Sequence, residues 1–194
     1  EPQLVKRPLT NRVGDDARAV RSATEAAAEL AAEAFADTTF VPSVARRIAE
    51  WKRGGATLTV VLTRLDAPSG GSPDGQSSDR RPSMRSLLQA ARECVREMDM
   101  VTRWQRDGLA LLLPNTSAAD AKIVARRLRT ALSGSSLQES NHRPEFTAGI
   151  GIAEGIEGND AKRVLERAWL ALEAARNAGP ANIYIHDGLK TVAV

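Results

Sequence analysis

Two constellations in residues 96–114, REMDMVTRWQRDGLALLLP, could do chemistry. Arg96 and Asp99 are spaced to share one helix face a single turn apart, a carboxylate beside a guanidinium fork of the kind that suits phosphates, carboxylates and guanine edges. A few residues on, Asp107 falls at the expected tip of a hairpin, where a phosphate or a metal ion could be held. The elements that must position these groups are legible nearby. Residues 100–104 alternate, Asp107-Gly108 is a tight-turn dipeptide, and residues 109–113 form an apolar run of the length of a buried strand. Before the hairpin, residues 84–97 predict a helix with Leu87, Leu88, Ala91, Cys94 and Val95 on one side, so Arg96 and Asp99 would close it.

The rest of the chain reads as alternating helices and strands. Residues 1–14 form a loose leading segment, and residues 15–36 predict an alanine-rich helix whose Val20, Ala23, Ala27, Leu30 and Ala34 repeat at three and four residues. That spacing fits either a stalk that dimerises or relays a signal, or a helix folded against its own domain. A second helix is expected over residues 43–53, ended by Gly54-Gly55, and a β-branched strand over residues 56–66. Residues 67–83 hold almost nothing that could be buried and read as loop. Helices follow at residues 117–133, capped by Ser117 or Thr116, and at 159–177; strands are expected at 145–153 and 181–185. With the first two helices set aside, the order predicts an α/β (α+β) domain in two layers, helices on a mostly antiparallel central sheet of ferredoxin-like ancestry.

Composition narrows the function classes. A chain of 194 residues, 42% hydrophobic, supports one core and an appendage. The formal net charge is only +3 and the basicity is carried almost wholly by arginine, without the basic runs or basic-aromatic interleaving of a DNA-binding surface, so no DNA partner is expected. The single cysteine, Cys94, excludes an internal disulfide and suits a reducing, cytoplasmic setting. No apolar run approaches a membrane span, so no membrane contact is expected, and a start at Glu1 is expected of a piece of a longer protein. His142 and His186 have no metal-ligand spacing and read as surface histidines; Trp51, Trp104 and Trp169 read as packing residues.

The hairpin and its surroundings resemble the GGDEF family, the diguanylate cyclases that condense two GTP molecules into cyclic di-GMP. The family's RxGGDEFxxLLP pattern resembles residues 103–114, RWQRDGLALLLP; its SIGIA strand resembles AGIGIA at 148–153; its closing ALxxAK helix resembles residues 171–179. The resemblance divides the chain into a leading segment and linker helix (1–36), a degenerate GGDEF domain of nucleotide-cyclase type (37–187) and a tail (188–194). It implies that two carboxylates hold the metal ions, since hard divalent cations need anionic oxygens. Here Arg64 stands at the first of those positions, Asp107 is retained, and Gly108 replaces the second acid of the signature. Gln105 and Arg106 replace the two glycines, Ser72 and Arg81 stand at the guanine-reading positions, and Arg176 and Pro180 at the phosphate-binding ones.

So many replacements imply that cyclisation is lost, with Arg64 pairing with Asp107 in the vacated site and no metal or cofactor held. The resemblance also implies that Arg96 and Asp99 are the family's RxxD product-binding site, with Arg127 in support. The guanidinium would bond O6 and N7 of guanine while the carboxylate accepts from N1 and N2. The expected ligand is cyclic di-GMP, and the expected partner is a second copy or another protein reached through the 15–36 helix. Two other readings stay open. Arg96 and Asp99 could be an inherited surface pair worth a few tenths of a kcal/mol, in a nucleotide-independent interaction module; residual cyclase activity would need a metal held by Asp107 alone.

Overall fold

The structure, a computed structural model, describes residues 38–66, 82–133 and 146–194. The expected 15–36 helix, Ser72, Arg81 and His142 lie outside the described residues. Strand β1 (Leu58–Asp66) is the axis of the fold. It is paired antiparallel with β3 (Gly108–Pro114) on one side and β4 (Thr147–Glu154) on the other. The remaining strands are β2 (Met100–Trp104), β5 (Ile183–His186) and β6 (Thr191–Ala193), and the sheet order is β2-β3-β1-β4-β5-β6. Only the β4–β5 pair is parallel. It is the pair bridged by a helix, as a parallel connection requires.

Helices cover both faces of this sheet, which corrects the two-layer expectation to three layers. Helices α2 (Met84–Glu93) and α3 (Ala118–Leu132) cover Val61, Leu109, Leu111, Leu113 and Ile150 on one face. Helices α1 (Phe40–Lys52) and α4 (Ala161–Asn177) cover Leu58, Val60, Leu62, Ala110 and Leu112 on the other. Alternate residues of β1 and β3 thus enter two cores, which is why β3 reads as a continuous apolar run rather than as an alternating one. Side-chain caps fix three of the helix starts, Ser117 among them as expected, while α1 begins at Phe40 rather than at residue 43. Ser83, Ser117 and Asp160 each accept a hydrogen bond from the backbone N–H three residues on, at 3.1, 3.2 and 2.8 Å.

Three local expectations change. Helix α2 ends at Glu93, not at residue 97, and residues 94–99 turn the chain into β2. The hairpin tip is the three-residue loop Gln105, Arg106 and Asp107, because Trp104 pairs with Gly108 across the strands. Gln105 takes the left-handed conformation at φ 52°, and Gly108 is a buried strand residue. A Cβ at Gly108 would sit 2.5 Å from the Thr63 carbonyl oxygen, so close approach to β1, not turn geometry, demands glycine there. Finally, residues 188–194 are not a tail: they carry β6, paired antiparallel to β5.

Candidate functional site

The turn after α2 shapes a cleft of about 390 Å³ lined by Arg92, Val95, Arg96, Glu97, Asp99, Met100 and Val101. The Asp99 N–H donates to the Arg96 carbonyl at 3.1 Å, and the Arg96 N–H donates to Asp99 Oδ2 at 2.8 Å. The two residues are therefore neighbours through a reciprocal backbone turn, not through a helix face. A turn and a helix both bring residues three apart together, so the spacing alone could not separate them. No Arg96–Asp99 ion pair forms among the described residues; one carboxylate oxygen instead accepts from the Arg96 backbone N–H. Asp99 Oδ1 is screened from solvent and has no hydrogen-bond partner among the described residues, while Arg96 is exposed. An unmatched buried carboxylate oxygen beside an unengaged guanidinium is a polar site short of a ligand.

Arg127 stands elsewhere. With Arg85, Arg126, Glu93, Ala90 and Ala131 it lines a larger groove of about 890 Å³ between α2 and α3. The two clefts flank the C-terminal turn of α2, Arg92 facing one and Glu93 the other. Arg127 is close enough to Cys94, between them, that its charge partly offsets the burial that pushes the thiol above its ordinary value.

The hairpin tip opens on a separate cleft of about 390 Å³ at the ends of β1 and α4, lined by Arg64, Leu65, Asp66, Asp107, Glu173, Arg176 and Asn177. Backbone pairing positions it: Arg64 faces Gly108 across the sheet, and the Leu65 N–H donates to the Asp107 carbonyl at 3.0 Å. Asp66 belongs to this cleft although motif comparison passed over it; strand periodicity, which puts residues 64 and 66 on one face, was the available signal. Its Oδ2 accepts from Thr147 Oγ1 at 3.1 Å and from the Ala181 N–H at 3.2 Å, holding the left-handed Ala181 (φ 59°) in place. Glu173 is paired with Arg176 at 2.8 Å. Two guanidinium groups among carboxylates already engaged are a poor donor set for divalent cations, and among the described residues no three His, Cys, Asp or Glu side chains are grouped to hold a metal.

His186 is a buried residue rather than a surface one. Its Nδ1 accepts from the Gly188 N–H at 3.1 Å and from Arg167 Nε at 3.4 Å. Arg167 is buried too, and donates from Nη1 to the Glu154 carbonyl at 2.8 Å and to Asn159 Oδ1, and from Nη2 to the His186 carbonyl at 2.8 Å. Burial, then the Arg167 charge, hold the His186 imidazole below its ordinary value. Trp104 and Trp169 pack edge to face at 5.5 Å in the α1–α4 core, as packing residues.

The fold is shared with solved GGDEF domains. The GGDEF domain of DgcB from Caulobacter crescentus, in complex with c-di-GMP, superposes with a TM-score of 0.65 at 21% identity, covering 78% of this chain and 90% of that one. The diguanylate cyclase SiaD from Pseudomonas aeruginosa, in complex with its activator SiaC, gives 0.63 at 21% identity, covering 88% and 68%. The family model described as "Diguanylate cyclase, GGDEF domain" matches residues 83–182, a little over half the chain, so this chain belongs to the GGDEF family. Among curated relatives, diguanylate cyclase A of Treponema denticola is 27% identical over 97 residues, 50% of this chain and 26% of that protein. The chain spans about a quarter or less of the length of the curated relatives it matches. Among the described residues no helix is long and apolar enough to cross a membrane.

Proposed function

We propose that this chain is a cytoplasmic GGDEF domain that has lost cyclisation and serves as a cyclic di-GMP receptor within a larger signalling protein. The observation that carries the receptor reading is the unmatched Asp99 Oδ1 beside the unengaged Arg96 guanidinium in one cleft. Guanine supplies what that site lacks: its N1 and N2 hydrogens satisfy the carboxylate oxygen, and its O6 and N7 accept from the guanidinium. Arg127, in the groove between α2 and α3, assists from the other side of the α2 turn.

Loss of cyclisation rests on the hairpin cleft. Arg64 and Arg176 bring positive charge where metal ions would have to sit, and Gly108 supplies no carboxylate. Arg64 and Asp107 both line that cleft. The 15–36 helix would relay the bound state through a second copy or a partner protein.

Titration calorimetry with cyclic di-GMP, run beside Arg96→Ala, tests the receptor reading. Saturable binding that the variant loses is expected; absence of binding at tens of micromolar ligand removes it. A stable oligomer without nucleotide response would then favour the interaction module.

A further inference from the structure

The Arg167–His186 cluster takes no part in either nucleotide cleft. We propose that His186 is a pH-sensitive latch on the sheet edge, its protonation loosening the turn at Gly188 and releasing strand β6 from β5.

Two N–H groups, of Gly188 and of Arg167, point at His186 Nδ1, at 3.1 and 3.4 Å. That arrangement needs a lone pair on Nδ1, which the neutral imidazole has and the imidazolium lacks. On protonation both donors would face another hydrogen. Arg167 cannot retreat without giving up the Glu154 carbonyl, Asn159 Oδ1 and the His186 carbonyl, so the movable donor is Gly188, in the turn that leads into β6. The charged groups around the ring are Arg167 from α4, which opposes protonation, Asp187 within the hairpin, which favours it, and Glu154 at the end of β4, which acts on Arg167. Lys190 sits across the turn from Asp187, to which its backbone N–H donates. Burial and Arg167 outweigh Asp187.

Because the imidazole is held below its ordinary value of 6.5, the open hairpin binds a proton that the closed one refuses. The closed form therefore has its full stability above that value and loses it as pH falls below it. What is released is small. Strand β6 has three residues and forms an edge of the sheet, and beyond its pairing with β5 it is tied by the Val194 N–H to the Ile183 carbonyl at 3.0 Å. Short edges of this kind open well before the global fold. Opening uncovers the outer edge of β5, whose backbone groups could then pair with an extended segment.

The test is backbone amide exchange of Val192 and Val194 between pH 7.5 and 5, corrected for intrinsic exchange, with the His186 ring titrated by NMR in the same samples. Exchange at these amides is expected to rise by up to about tenfold per pH unit below the ordinary imidazole value, while Val60 and Leu112 hold. In His186→Asn, whose side-chain oxygen keeps an acceptor near Nδ1 but does not titrate, the pH dependence should vanish. A flat wild-type profile, an equal slope in the variant, or a ring midpoint at or above 6.5 overturns the latch. Should the variant fail to fold, the wild type decides alone: the ring must titrate over the same pH range in which the edge amides open.

Discussion

Asp99 has two jobs that single substitutions can separate. One oxygen accepts the Arg96 N–H and shapes the turn; the other is buried and unmatched. Asn at this position keeps an acceptor for the turn but removes the negative charge that would meet the guanine N1 and N2 hydrogens. Asp99→Asn should therefore leave thermal unfolding within about 1 kcal/mol of wild type while weakening cyclic di-GMP binding by ~10–100-fold, the range for hydrogen bonds to a charged group. Asp99→Ala should show the same loss of binding and an added loss of about 0.5–1.5 kcal/mol in stability. Equal binding by Asp99→Asn and wild type would place the ligand elsewhere, and the α2–α3 groove around Arg127 would be the next site to test.

At the scale of elements, the close seating of α4 on β4 depends on Gly149 and Gly151. A Cβ on Gly151 would meet the backbone of Leu172 and Ala168, and backbone cannot swing aside as a side-chain tip can. Gly151→Ala should cost about 1–3 kcal/mol by overpacking; Gly158→Ala, which meets nothing within 4 Å but has φ +78°, should cost less, about 1 kcal/mol. Denaturant midpoints of the two variants measure the difference, and equal shifts would mean that α4 sits farther from the sheet. The same elements mark what the sequence made legible. β1, β3, α3 and α4 follow from local signals, namely apolar runs and helix caps, and the motif AGIGIA resembles a family strand whose glycines turn out to be the seat of a helix. The end of α2 was not legible, because a turn reproduces helical spacing at Arg96 and Asp99. Nor was the burial of His186, which depends on an arginine 19 positions away in the chain and on a strand of three residues.

For the molecule as a whole, the two ends of the sheet present clefts of different chemistry. The turn before β2 carries a polar cleft with an unsatisfied acceptor, while the opposite cleft, between the hairpin tip and α4, is lined by the Arg64 and Arg176 guanidinium groups together with Asp66, Asp107 and Glu173. The proposed loss of cyclisation has a steric side as well. The position of the second signature acid is Gly108, where a Cβ would lie 2.5 Å from the Thr63 carbonyl oxygen and 2.9 Å from that of Trp104. A side chain at this position requires the hairpin to shift away from β1, so on the proposed reading a single reversion does not restore a cation site. Incubation of the chain with GTP and either magnesium or manganese should give no cyclic di-GMP, and Arg64→Asp alone should not restore it, since Arg176 and Gly108 remain. Chromatographic analysis of the nucleotides reads both outcomes. Product from the unmodified chain would show that the guanidinium-lined cleft still gathers metal and substrate, and the proposed loss of cyclisation would have to be abandoned; product from Arg64→Asp alone would leave Arg64 as the sole block and remove the steric argument at Gly108.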